Sequence, residues 1–130
     1  MSSRSAARKG SDGLRLRLAV ATRSGGLEDR VSEVFAGART FTIVEVEDGR
    51  IRGTKVIENP AVSFEHGRGP IVAKKLVEEG VNVAIAGEFG PGALAILKAE
   101  DIRPVRVRAG TSVRQAVKDA IKEQMRGRSR

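Results

Sequence analysis

Gly80-Val81-Asn82-Val83-Ala84-Ile85-Ala86-Gly87 is the stretch on which the fold turns. Between its glycines the run is apolar except for Asn82. It is too short for a stable helix and lacks the alternation of a half-exposed strand, so it reads as a strand buried on both faces of a parallel sheet. The flanks agree. Upstream, Pro70 suits a first helical turn, and Ile71, Val72, Leu76 and Val77 follow at helical spacing until Gly80 ends the run. Downstream, Gly87-Glu88-Phe89-Gly90-Pro91 opens a second helix whose interior is Ala93 to Ala99. Helix, buried strand and helix in succession imply parallel neighbours joined by crossovers.

Further out, Leu14, Leu16, Leu18 and Val20 alternate with Arg15 and Arg17 and then with Ala19 and Ala21, a central strand whose second half is apolar on both faces. The loop Thr22 to Leu27 and a short helical candidate at Val31 to Phe35 follow. Thr40 to Glu47 and Ile51 to Glu58 are β-rich runs around Asp48-Gly49, a strong hairpin signal, so that pair is expected to be antiparallel. Pro104 cannot donate to a ladder, which places Ile102 to Arg108 at a sheet edge. Ala109-Gly110-Thr111 leads into a last helix with Val113, Ala116, Val117, Ala120 and Ile121 on one stripe, and Ser112 and Gln115 at capping-box spacing. The expected fold class is α/β: a three-layer, mixed five-stranded sheet with flanking helices. Residues 14–125 form one domain between basic tails at 1–13 and 126–130, whose Ser, Gly and Arg content suits disorder. No internal repeat or interior linker divides it.

Composition excludes several classes of function. The 130 residues include no Cys, Trp or Tyr and one His, so disulfides, zinc fingers and thiolate-held iron–sulfur clusters are impossible within the chain. No apolar run reaches the length of a membrane span, and the first residues open no signal-peptide core; a soluble, cytoplasmic protein is expected. Scarce Asn, Gln and Cys hint at a thermophilic source. The formal charge is +8, of which residues 1–17 supply +4 and residues 122–130 +3. A nearly neutral body with sparse basic ends, and no aromatic residue in them, argues against a nucleic-acid site and for solubility.

Ligands of open α/β sheets bind where strand carboxyl ends meet helix amino ends. Thr22 to Leu27, Gly87 to Gly92 and Ala109 to Thr111 should reach that crevice, and His66-Gly67-Arg68-Gly69 opens a helix beside it. Helix starts present main-chain N–H groups and favour anions, and glycine lets a bulky ligand approach. The expectation is an anionic ligand held mostly by backbone at Gly25, Gly26, Gly67, Gly90 and Gly110, with His66 and Arg68 contributing side chains. Glycine and proline at helix entries are also routine punctuation, and His66 reads equally as a solvated or capping residue. Neither G-x-x-x-x-G-K-[ST], G-x-G-x-x-G after a strand, nor G-x-S-x-G occurs. Glu28, Asp29 and Glu33 lie near the first crevice loop as a weak option for a hard cation. Glu45, Glu47, Asp48, Glu78 and Glu79 read as solvated surface.

Taken in order, Thr22 to Leu27 with Glu28-Asp29-Arg30-Val31-Ser32 and Phe35, Phe41 to Val44 with Asp48-Gly49, His66-Gly67-Arg68-Gly69, Ala86-Gly87-Glu88-Phe89-Gly90-Pro91 and Gly110-Thr111-Ser112-Val113 resemble the dinitrogenase iron-molybdenum cofactor biosynthesis domain family, over roughly residues 14 to 125. The resemblance implies a ribonuclease H-like fold and a non-enzymatic module that binds or carries iron-molybdenum cofactor or a related metal–sulfur cluster, working with cofactor-assembly proteins. The ligand-binding residues it points to are Thr22, Gly25, Gly26, Ser32, Gly67, Arg68, Gly69, Gly87, Gly90, Gly110 and Thr111, with His66 as metal ligand. The family often reads Ser-x-His-Phe-Gly-Arg; here Ser32-Glu33-Val34-Phe35-Ala36-Gly37 puts Val34 in the place of that His. The first strand lacks the carboxylates that nuclease chemistry needs. The other readings are an adaptor docking an acidic protein or nucleic acid through its basic tails, and an enzyme acting on a phosphorylated or acyl substrate.

Overall fold

The structure, a computed structural model, describes residues 15–128. The expected N-terminal tail at 1–13 lies outside them. In chain order the elements are β1 (Arg15–Thr22), β2 (Thr40–Glu47), β3 (Arg50–Glu58), α1 (Arg68–Glu78), β4 (Val83–Ala86), α2 (Pro91–Ala99), β5 (Arg103–Arg106) and α3 (Val113–Arg128). They build one five-stranded sheet in the order β3-β2-β1-β4-β5. β1, β4 and β5 run parallel, and β2 and β3 extend the sheet antiparallel from β1. The hairpin turn has positive φ at both Asp48 (55°) and Gly49 (80°), the geometry that lets two residues join right-twisted strands.

The expected alternation of β1 sorts the core into two layers. Leu16, Leu18 and Val20 pack with Val44, Val46, Val83 and Ile85 beneath the Val113, Ala116, Val117 and Ile121 stripe of α3. Ala19, Ala21, Ala84 and Ala86 face the other way, where their small side chains leave room for Val72, Leu76, Ala93 and Leu97 of α1 and α2. This is the three-layer α/β arrangement, with β4 buried along its whole length.

Three local expectations change. Residues 31–35 are not helical: Ser32 N–H donates to Ala21 O (2.8 Å) and Phe35 N–H to Glu88 O (3.1 Å), so the segment is drawn out across the carboxyl ends of β1 and β4. Two strand ends competing for its amides outweigh the weak helical tendency of five residues. The tail boundary expected at 126 falls inside α3, because Lys122, Gln124, Met125 and Arg126 are good helix formers and no breaker precedes Gly127. Glu79 is no solvated residue either. Its side chain is 14% exposed and meets Lys55 Nζ (2.9 Å), Arg17 Nη2 (3.4 Å) and Lys75 Nζ (3.6 Å), clamping α1 to β1 and β3. The hydrogen bond and charge of Lys55 lead the forces that hold its carboxyl below the usual range, against a burial effect that opposes them.

β5 is the edge its proline implies. Arg103 N–H donates to Asn82 O and Val107 N–H to Ala86 O, so the odd residues bond β4. Pro104 therefore stands where its missing N–H would have faced outward.

Candidate functional site

Parallel pairing puts the carboxyl ends of β1, β4 and β5 at one end of the sheet, and the chain closes that rim with long-range bonds. Val31 N–H donates to Thr111 O (2.8 Å), Gly110 N–H to Val31 O (2.9 Å), Gly87 N–H to Ser32 O (2.9 Å) and Glu88 N–H to Glu33 O (2.6 Å). Segment 31–35 is the wall of the rim. Val31 belongs to the α3 side of the core and Phe35 to the α1–α2 side, so the wall passes over the sheet end and divides the rim in two.

On the α3 side the sequence-predicted amides are occupied. Asp29 Oδ2 accepts from the N–H groups of Arg23 (3.0 Å), Ser24 (2.9 Å) and Gly25 (2.7 Å), so a carboxylate of the chain fills the place expected for an external anion. Gly26 N–H donates to Thr42 Oγ1 (3.0 Å). Thr40 spends its one hydroxyl hydrogen on Arg23 O, which fixes the direction of the rest: Thr42 donates to Thr22 and Thr22 to Thr40. Gly25 has φ +97°, and a Cβ there would lie 2.4 Å from Val56 Cγ1, so the loop lies flat on β3. At α3, Val113 and Arg114 N–H groups donate to Asp29 O and Leu27 O, and Gln115 N–H to Ser112 Oγ. The Gln115 side chain turns to Asp119 Oδ1 instead of closing the capping box. Thr22, Gly25, Gly26, Ser32, Gly87, Gly110 and Thr111 are thus brought together as framework, with main-chain or hydroxyl groups satisfied inside the protein. Arg30 Nη1 adds a bond to Gly110 O (2.8 Å), and Arg114 pairs with Glu28 (2.5 Å).

Asp29 titration follows from this cradle. Burial alone raises its carboxyl, but backbone hydrogen bonds led by that of Gly25 outweigh burial and hold it below its ordinary value near 3.8. A carboxylate depressed in the folded state stabilises fully above the unfolded value and loses that contribution as pH falls through the folded one. The stability difference between wild type and Asp29→Asn, measured by urea unfolding, should be constant above about pH 5 and shrink below about pH 4.

The α1–α2 side is different. Gly67 and Gly90 cap α1 and α2, and neither helix receives a side-chain cap hydrogen bond. The two starts lie together: a Cβ on Gly69 would sit 3.4 Å from the main-chain nitrogen and the Cβ of Ala93. First-turn N–H groups have no partner within a helix, so Arg68 and Gly69 of α1 and Gly92 and Ala93 of α2 form one electropositive lip. His66 is exposed immediately before it. The Arg68 guanidinium is not aimed outward; it donates to the carbonyls of Phe64 and Val62 and folds the 62–68 loop back toward Gly37. Exposed Val34, Val62 and Phe64 flank this region. Phe64 is a further exposed residue of this region, and an aromatic two positions before the single His of a polar loop is the sequence signal for it. No cluster of three or more His, Asp or Glu able to hold a metal ion exists among the described residues.

The same fold occurs in known proteins. The family model described as dinitrogenase iron-molybdenum cofactor matches residues 16–123. The apo form of the orange protein from Desulfovibrio gigas superposes with a TM-score of 0.75 at 30% identity, over 83% of this chain and 88% of that one. A Thermotoga protein described as a candidate NifB protein gives a TM-score of 0.66 at 34% identity, over 83% and 88%. An uncharacterised protein of Methanocaldococcus jannaschii is 37% identical over 70 residues, which are 54% of this chain and 59% of that relative. The match to that relative therefore covers less than two thirds of its length.

Proposed function

Because the chain belongs to the dinitrogenase iron-molybdenum cofactor family, we propose that it is a non-enzymatic carrier for an anionic metal–sulfur cluster, iron-molybdenum cofactor or a related species, in metallocofactor assembly. The adjoining starts of α1 and α2, uncapped by side chains, carry this reading. A bare cation would need a set of converging side-chain ligands, and the described residues hold none. A preassembled cluster brings its own sulfur ligands and negative charge, and asks for N–H groups, an apolar wall and at most one coordinating side chain. The lip supplies N–H groups; Val34, Val62 and Phe64 supply apolar surface; His66 offers one nitrogen ligand.

The scaffold is a ribonuclease H-like sheet put to carriage instead of hydrolysis, acting in the cytoplasm with cofactor-assembly proteins as donors or acceptors. Structures similar to it include an apo protein and a candidate NifB protein. No described helix is long and apolar enough to cross a membrane.

Anaerobic incubation of the purified protein with iron-molybdenum cofactor, and separately with molybdate and with iron salts, tests the reading by metal retained after gel filtration. The cluster should be retained stoichiometrically and the simple salts washed away. Retention of iron salts but not of the cluster would point to a different function. His66→Ala should weaken cluster retention about tenfold or more, the scale of one lost ligand contact. Wild-type retention in that variant would remove His66 from the site and leave the amide lip.

A further inference from the structure

The near-neutral body seen in the sequence hides a sorting of charge that the fold makes visible. Residues 15–102 carry twelve Arg and Lys against thirteen Asp and Glu, whereas residues 103–126 carry seven against two. The second group is β5, α3 and their connection. In the first group five of the twelve cations, Arg15, Arg17, Arg52, Lys55 and Lys75, reach a Glu, and in the second Arg114 pairs with Glu28. Arg106, Arg108, Lys118 and Lys122 are exposed and make no ion pair among the described residues. Crowded like charge without a counterpart destabilises a fold and marks a surface with an acidic complement.

A cleft of about 340 Å³ lies between β5 and α3. Val105, Val107, Ala116 and Ala120 give it an apolar floor, and Asp119 and Glu123 stand on its α3 wall. Along it runs a free strand edge. Since the odd residues of β5 bond β4, Pro104 C=O and both main-chain groups of Arg106 point outward. Side chains alternate as well: Val105 packs on the α3 side of the sheet, so Arg106 lies on the opposite face.

We infer that the β5 edge accepts an extended segment of a partner protein in which aliphatic and acidic residues alternate. Its backbone pairs with Arg106 and Pro104, its aliphatic side chains enter the cleft, and its carboxylates meet Arg106 on the far face. Asp119 and Glu123 set the register, because a one-residue slip would drive acidic side chains against them. This chain contains such a pattern at Ile43-Val44-Glu45-Val46-Glu47, but β2 is paired on both sides, so a second copy cannot offer it. Single-stranded nucleic acid is disfavoured because the four Phe, at 35, 41, 64 and 89, all lie outside β5 and α3.

Fluorescence anisotropy with a labelled peptide of about seven alternating Glu and Val residues, a common strand length, tests this. The wild-type protein should bind it and ignore a scrambled peptide of equal charge. Combining Arg106→Glu with Arg108→Glu, both exposed, should lower affinity on the order of tenfold or more, with the circular dichroism spectrum unchanged. Methylating alternate peptide amides should abolish binding, and amide shifts in the wild type should centre on Arg106 and Val107. Equal binding of the scrambled peptide, an indifferent double variant, or no binding would overturn the inference. Preferential binding of single-stranded DNA lost in the double variant, or self-association through β5, would overturn it in favour of that occupant.

Discussion

Phe35→Ala is expected to destabilise the protein by about 3–5 kcal/mol, a large part of the roughly 5–15 kcal/mol that holds a domain of this size together. The ring is 1% exposed and central to the α1–α2 side of the core. Its centroid lies 5.4 Å from that of Phe41 in an edge contact and 4.9 Å from that of Phe89. Truncation opens a cavity that these neighbours cannot fill, because their own backbones belong to β2 and to the rim. It also removes the anchor of the wall, since Phe35 is where the wall enters the core. Urea unfolding should show a lower midpoint at an unchanged m value, and the cluster-retention assay should fail earlier than the fold does. Phe35→Leu, which keeps most of the volume, should cost less than about 1.5 kcal/mol.

Gly87→Ala should have the second-largest effect, on the order of 2–3 kcal/mol, for a change of one methyl group. A Cβ on Gly87 would lie 2.8 Å from Glu33 O and 2.9 Å from Glu33 Cα. Both are main-chain atoms and cannot rotate away. Either the wall moves off β4 or the bonds from Gly87 N–H to Ser32 O and from Glu88 N–H to Glu33 O are lost. Gly90→Ala is the matched control: nothing lies within 4 Å of the added carbon and φ is −72°. Thermal unfolding should leave that variant within about 1 kcal/mol of wild type. Equal effects of the two changes would show that the wall tolerates displacement.

Much of the fold was legible because each element announced itself locally. The two-sided apolar run from Val81 to Ala86, the Asp48-Gly49 turn and Pro104 in an edge strand are short-range signals, and sheet order follows once parallel and antiparallel neighbours are told apart. The wall at 31–35 was not legible. Its conformation is set by carbonyls of Ala21 and Glu88, and nothing in Val31-Ser32-Glu33-Val34-Phe35 says which partners will come. The candidate site was half legible for the same reason. Glycine-rich turns were correctly gathered at one end of the sheet, but spacing does not show whether an amide is already spoken for. Asp29, read as a weak cation ligand, serves as an internal anion instead and closes the first loop. Only Gly67 and Gly90, which cap α1 and α2, stand at helix starts that receive no side-chain cap hydrogen bond. The charge of the body was read as a total, and a total hides the segregation that appears once β5 and α3 are placed side by side.

Arg30 bonds a carbonyl eighty residues further along the chain, and Val31 is held by the neighbouring residues there. During synthesis the amino-terminal half of the rim therefore stays unlatched until residues 110 and 111 have been made. A truncated product lacking residues 110 to 128 would leave the wall without these bonds.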